Sequence, residues 1–279
     1  MDSTSSPWWS NASWWPQSSS TPDGVDTWAA AVDLGARGHG AAARAALDAL
    51  ARETTDPRTA SLAHSTRASL IRQAGGHGEA RIDDGQACRL VAGAARDERD
   101  EWAFAAWIDG LVGLAADGLG VGDFGASRAL LARAGRLLAD REGRAGEVRA
   151  GEWITDGRVR LRHAWVQTEF ALFSGDTPGA VEPRERALRL AADAPSPRHV
   201  VKTDLIAAAV AAANGDLRTA ASIASDCENA CTTWGLLPLQ WAAVTMLSGI
   251  GPDPAAAARR AADSANRLAA RGMPVTPAA

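Results

Sequence analysis

The sequence predicts an all-α chain of about twelve helices built as helix–turn–helix pairs. Three observations predict it. Ala dominates the composition and is the best helix former, while the β-branched runs that mark strands are scarce. Apolar residues recur at i, i+3, i+4 spacing over much of the 279-residue chain. A Gly-Asp dipeptide stands at Gly122-Asp123, Gly175-Asp176 and Gly215-Asp216, each time between two such periodic stretches. Gly ends a helix in the left-handed conformation without steric cost, and the Asp after it can accept from the exposed N–H groups of the next helix. Gly-Asp is therefore a compact joint between antiparallel helices.

Taken in order, residues 1–22 differ from the rest. The stretch is Ser-, Thr- and Pro-rich without helical period, so an unfolded tail is expected. It holds Trp8, Trp9, Trp14 and Trp15, four of the 11 tryptophans. Paired indoles left in water forgo a large burial, so these four are candidate docking residues, either on a partner or in a groove of this same chain. Helical text runs from 23 to 271. Periodicity places helices at 59–74, 84–95, 98–116, 123–140, Arg158–Phe173, 180–193, 198–213, 217–233, 236–248 and 254–271, after two from 24 to 57. Gly75-Gly76-His77-Gly78 reads as a break, Gly118 and Gly120 as helix closers, 141–153 as a Gly- and charge-rich hinge, and 272–279 as a frayed end.

The residues after each joint also repeat. Gly215 is followed by Leu217, Ala220, Ala224 and Cys227; Gly122 by Phe124, Ser127, Leu131 and Ala134; and Gly38 by Ala43, Leu47 and Leu50. A small residue after the turn lets two helices approach, and an apolar one a turn later fills the gap. With these features the region 24–271 resembles the tetratricopeptide repeats, and more narrowly uncharacterised actinobacterial proteins of that type. The resemblance implies an α-solenoid, a right-handed superhelix whose concave face is lined by the first helix of each pair. It implies binding of a protein or peptide in that groove, in a regulatory or assembly role, rather than catalysis.

Bulk numbers narrow the function further. A 46% apolar, 22% charged composition builds an ordinary core, and a net charge of −4 argues against nucleic acid as a partner. Lys202 is the only lysine among 29 basic residues, a skew expected of a GC-rich, actinobacterial genome. Three cysteines fit a reducing compartment. No signal peptide and no apolar run near a membrane span is read, so a cytoplasmic protein without a membrane partner is expected.

The densest polar–aromatic stretch is 156–169. On a helix, Arg158, Arg162, Trp165 and Glu169 share one side, and Arg with Trp is a common pairing at binding surfaces. Because this is the first helix of its pair, that side is the candidate groove wall. Lys202 is placed in the groove as well, although a cap-and-salt-bridge cluster at a helix start accounts equally for Arg198, His199, Lys202 and Asp204. A second class of function, a ligand-sensing helical domain lacking its own DNA-binding module, fits the same pattern. Cys227 and Cys231 lie one helical turn apart, a spacing at which two thiolates can reach one metal or serve a redox role, but Cys227 occupies the packing position of the repeat, and free Cys behaves as a small hydrophobe. No phosphate loop and no nucleophile elbow is present, and the scattered histidines show no metal-ligand spacing. The chain is expected to be a non-enzyme that needs no cofactor.

Overall fold

The computed structural model describes residues 21–96, 100–145 and 153–275. The described chain is all-helical, with twelve α-helices and no strand. They are α1 (Val25–Ala36), α2 (Gly40–Glu53), α3 (Pro57–Gln73), α4 (His77–Val91), α5 (Glu101–Gly120), α6 (Phe124–Ala145), α7 (Arg158–Phe173), α8 (Val181–Ala192), α9 (Pro197–Ala213), α10 (Leu217–Trp234), α11 (Leu237–Ile250) and α12 (Pro254–Ala270). One π-helical turn, Trp153–Gly157, leads into α7. Trp8, Trp9, Trp14 and Trp15, and most of the expected hinge, lie outside the described residues.

The Gly-Asp joints work as their chemistry dictates. Gly122, Gly175 and Gly215 have φ of +78°, +76° and +82°. Asp123, Asp176 and Asp216 each accept from the N–H three residues on, at 3.0, 3.0 and 3.1 Å. The small and apolar positions behind the joints (Ser127, Ala134, Ala180, Ala187, Ala220, Ala224) are fully buried. Cys227 and Cys231 are buried with Val201 and Leu236 in one apolar cluster. Burial pushes both thiols up to about 12, which suits packing rather than reactivity.

Two boundaries differ from the sequence expectation. The glycine run at 75–78 is a joint, not a gap: Gly75 takes φ +83° and α4 starts at His77, seven residues before the expected 84. Helix α5 runs past the expected end at 116 and through Gly118, and it ends at Gly120, with Gly122 at φ +78° closing the turn. Its glycines serve close approach: a Cβ at Gly113 would lie 2.2 Å from the Asp84 carboxylate, so α4 meets α5 there only because the side chain is missing. At 20 residues, α5 is also long and apolar enough to cross a membrane, nearer to a span than the sequence reading allowed. In this structure 78% of that window is packed inside the protein.

Each helix packs on its chain neighbours, and each odd-numbered helix packs also on the next odd one. The even helices make no comparable contact with one another. The odd helices therefore form an inner layer and the even ones an outer layer. The first and last helix pairs also meet. Ala41 N–H donates to the Arg271 carbonyl at 3.0 Å, and Arg271 Nη1 donates to the Arg37 carbonyl at 2.9 Å. Leu237 and Leu268 close over Gly38, and Val25, Trp28, Leu237, Leu268 and Met273 share one apolar core. The inner layer is thereby drawn around a central space.

Candidate functional site

That space is a cavity of about 390 Å³, within the size range of small-molecule pockets. Its walls come from all six odd helices, with Ile154 from the π-helical turn and Val275 after α12, and from no even helix. The cavity has two unlike sides. Helices α1 and α11 present Ala29, Val32, Pro238, Leu239 and Trp241. Helices α3, α7 and α9 present Arg72, Arg158, Arg162, Glu169, Arg198, His199 and Lys202.

The helical period explains the second side. Arg158, Arg162 and Glu169 fall on one stripe of α7, and Arg198 and Lys202 stand one turn apart on α9. Helix α7 is buried nearly all round: Val159, Leu161 and Ala164 face its neighbours while the Arg stripe faces the cavity. An inward cation needs an acid behind it, and most have one. Asp109 of α5, 1% exposed, accepts from Arg158 Nη2 at 2.6 Å and also from Arg162 Nη1. Arg158 is further fixed by the Ile154 carbonyl at 3.0 Å and lies 5.5 Å from the Trp28 ring centre, linking α7 to α1. Arg72 donates to Asp117 at 2.7 Å and to Asp84, both wholly buried. Burial pushes the Asp84 carboxyl well up, against the pull of Arg72. Lys202 stands 3.8 Å from Glu169 and 4.6 Å above the Trp165 ring.

Arg198 is the exception. Among the described residues it has no hydrogen bond and no ion pair, although its side chain enters the cavity wall. Burial, then the neighbouring Arg162 and Arg158, push its guanidinium down to about 10, so it remains charged at neutral pH. Its neighbour His199 is buried between two indoles, stacked on Trp165 at 5.8 Å and met edge-on by Trp153 at 5.7 Å. Among the described residues the His199 Nδ1 has no hydrogen-bond partner. Burial first, then Arg198 and the other cations, hold its imidazole well below the usual histidine range, and it adds no charge of its own.

The five groove residues named from the sequence on described helices, Arg158, Arg162, Trp165, Glu169 and Lys202, all line this one cavity. Trp165 is a packing residue as much as a wall: it is 3% exposed, and its Nε1–H donates to Thr203 Oγ1 at 2.8 Å. The cap-and-salt-bridge reading of residues 198–204 does not hold for Arg198, whose nearest charged neighbours are other cations. Asp204 lies away from the cavity, with Asp226 and Cys227 near it. Sequence reasoning missed Arg72, Trp28 and Trp241, whose own helices carry no local signal of a site. Among the described residues no group of three or more His, Cys, Asp or Glu could hold a metal ion. No protein-family model matches this chain, and a search of curated proteins finds none that matches it.

Proposed function

We propose that this protein is a binding module of tetratricopeptide-like, right-handed solenoid type, and that its central cavity takes a small molecule. The observation behind this is the convergence of six helices on one cavity with an apolar side, a cationic side and one cation left without a partner. An unmatched inward charge is costly without a counter-ion, and a bound anion supplies one. The meeting of the first and last helix pairs favours a compact ligand over a long peptide laid along an open groove. A role as the ligand-sensing part of a regulatory system fits this arrangement, and no step of chemistry is needed to account for it. A second reading is favoured by the same Arg198: the C-terminal carboxylate of a partner protein or peptide entering the cavity.

Filling the cavity tests the proposal. The Ala242→Phe variant places a ring in the space while leaving the cations in place. A thermal-shift screen of small metabolites should find compounds that raise the Tm of the wild type by several degrees, since ligand at about 100 times its Kd adds about 2.7 kcal/mol. The shift should vanish in the filled variant. Compounds that stabilise both forms equally act elsewhere and sink the cavity reading. If only peptides with a free C-terminus shift the wild type, and amidated ones do not, the second reading replaces the first.

A further inference from the structure

The pairing of charges around the cavity defines what is missing from it. Every lining cation but one has an acid within 4 Å: Arg72 has Asp84 and Asp117, Arg158 and Arg162 share Asp109, and Lys202 has Glu169. Arg198 alone has none among the described residues. It points into the same space from the first turn of α9, one turn from Lys202. A single guanidinium without a counter-ion asks for a single planar oxyanion, the group its fork geometry matches best. Facing it, α1 and α11 offer Ala29, Val32, Leu239 and Trp241 with no charged group among them. Such a wall gains only by covering an apolar body. The two sides are part of one cavity, so head and body must belong to one molecule.

Resting on the small-molecule reading above, we propose that the cavity binds amphiphilic carboxylic acids, with one carboxylate paired to Arg198 and an alkyl or aryl body laid against α1 and α11. Arg162 and His199 flank the carboxylate site. Arg162 is anchored by Asp109, and neutral His199 is wedged between Trp153 and Trp165, so neither swings away when the site is empty. A phosphate monoester is the poorer fit, because its second charge meets cations that already have acids.

The experiment uses three probes of matched length on the full chain: octanoate, its neutral amide octanamide, and octyl phosphate. Phenylbutanoate is added as an aryl acid. Titration calorimetry should give saturable one-to-one binding of octanoate or phenylbutanoate, at least tenfold tighter than octanamide. Arg198→Met should remove that tenfold preference, and Arg198→Lys should keep part of it. Far-UV circular dichroism and unchanged cooperativity of melting confirm that each variant is folded. Equal binding of octanoate and octanamide, unaffected by Arg198→Met, overturns the acid proposal while the small-molecule reading stands. Tighter binding of octyl phosphate than of octanoate overturns it in favour of a dianion. No saturable binding of any probe overturns it as well, and the Ala242→Phe screen then decides the small-molecule reading separately.

Discussion

Two arginines on the cationic side of one cavity occupy contrasting environments. Arg72 at the end of α3 sits between Asp84 and Asp117, both fully buried, and also donates to the Gly113 carbonyl at 3.3 Å. Arg198 at the start of α9 has cations for neighbours and, among the described residues, no acid. The first site is built by packing: Gly113 has no side chain, and the Asp84 carboxylate fills the place a Cβ would take. The second is built without a counter-ion although Asp204, two turns along, belongs to the same helix. Arg72 therefore serves the fold, since its charge is answered inside the protein. Arg198 serves binding, since its charge is answered only from outside.

The largest effect that sharpens this contrast is expected at Asp117. Asp117→Ala leaves Arg72 with one acid, Asp84, whose own carboxyl is pushed towards the neutral form. Removing one partner of a buried ion pair typically costs about 3–5 kcal/mol, and urea denaturation should show a loss of that order. Asp117→Asn, which retains an acceptor oxygen, should lose less. A loss below about 1 kcal/mol in the Ala variant, the scale of an exposed pair, means that Arg72 is solvated and that the contrast with Arg198 is false.

Arg198 should behave in the opposite sense. Arg198→Met removes a charge that no acid among the described residues answers, and it keeps the apolar stem that packs in the wall. Functional sites held at a cost to stability commonly return about 0.5–2 kcal/mol when relaxed. The midpoint in urea should rise with an unchanged m-value. A fall of more than about 1 kcal/mol shows that Arg198 has an internal partner, and the two arginines then belong to one class.

The same contrast marks how far the sequence could be read. The joints were legible because their chemistry is local: Gly takes the positive φ and the Asp after it caps the next helix within three residues. The Arg158–Glu169 stripe was legible because helical period puts those residues on one side whatever lies opposite. Arg72 was not, because its partners come from 12 and 45 residues away on α4 and α5. Trp28 and Trp241 were not, because they share a wall only once the first and last helix pairs meet, through contacts such as the 234-residue separation of Arg37 and Arg271. Gly118, read as a closer but inside α5, misled for a related reason. In isolation Gly weakens a helix, whereas here Gly113 gives α4 room to approach. The right-handed, repeat-like winding was inferred from local pairs and stays a proposal.

The smallest expected effect concerns His199, which shares the Arg198 environment. Burial, then Arg198, Arg158, Arg162 and Lys202, hold its imidazole well below the usual range. Burial does the same to His163, partly offset by its bond to the Leu131 carbonyl at 3.0 Å. The folded protein thus binds fewer protons at these sites than the unfolded chain, whose histidines titrate near 6.5. Stability contributed by them is fully present above about pH 6.5 and is lost as pH falls below that value. Asp56 and Asp83, held low by Arg58 and by His64 with Arg67, lose their contribution only further down, below about pH 4. Asp84, pushed up, acts in the opposite direction over part of the interval, so the histidine share is read as a difference between variants. His199→Gln should flatten the fall in urea midpoint between pH 6.5 and 5 relative to wild type, leaving the share due to His163 and to His39, which burial, then Arg271 and Arg37, also hold low. Saturation with an acidic ligand should flatten it too, because a carboxylate beside Arg198 offsets the cations that oppose protonation of His199. Parallel slopes for wild type and His199→Gln mean that His199 is solvated, and the cationic side of the cavity is then an open surface rather than a site.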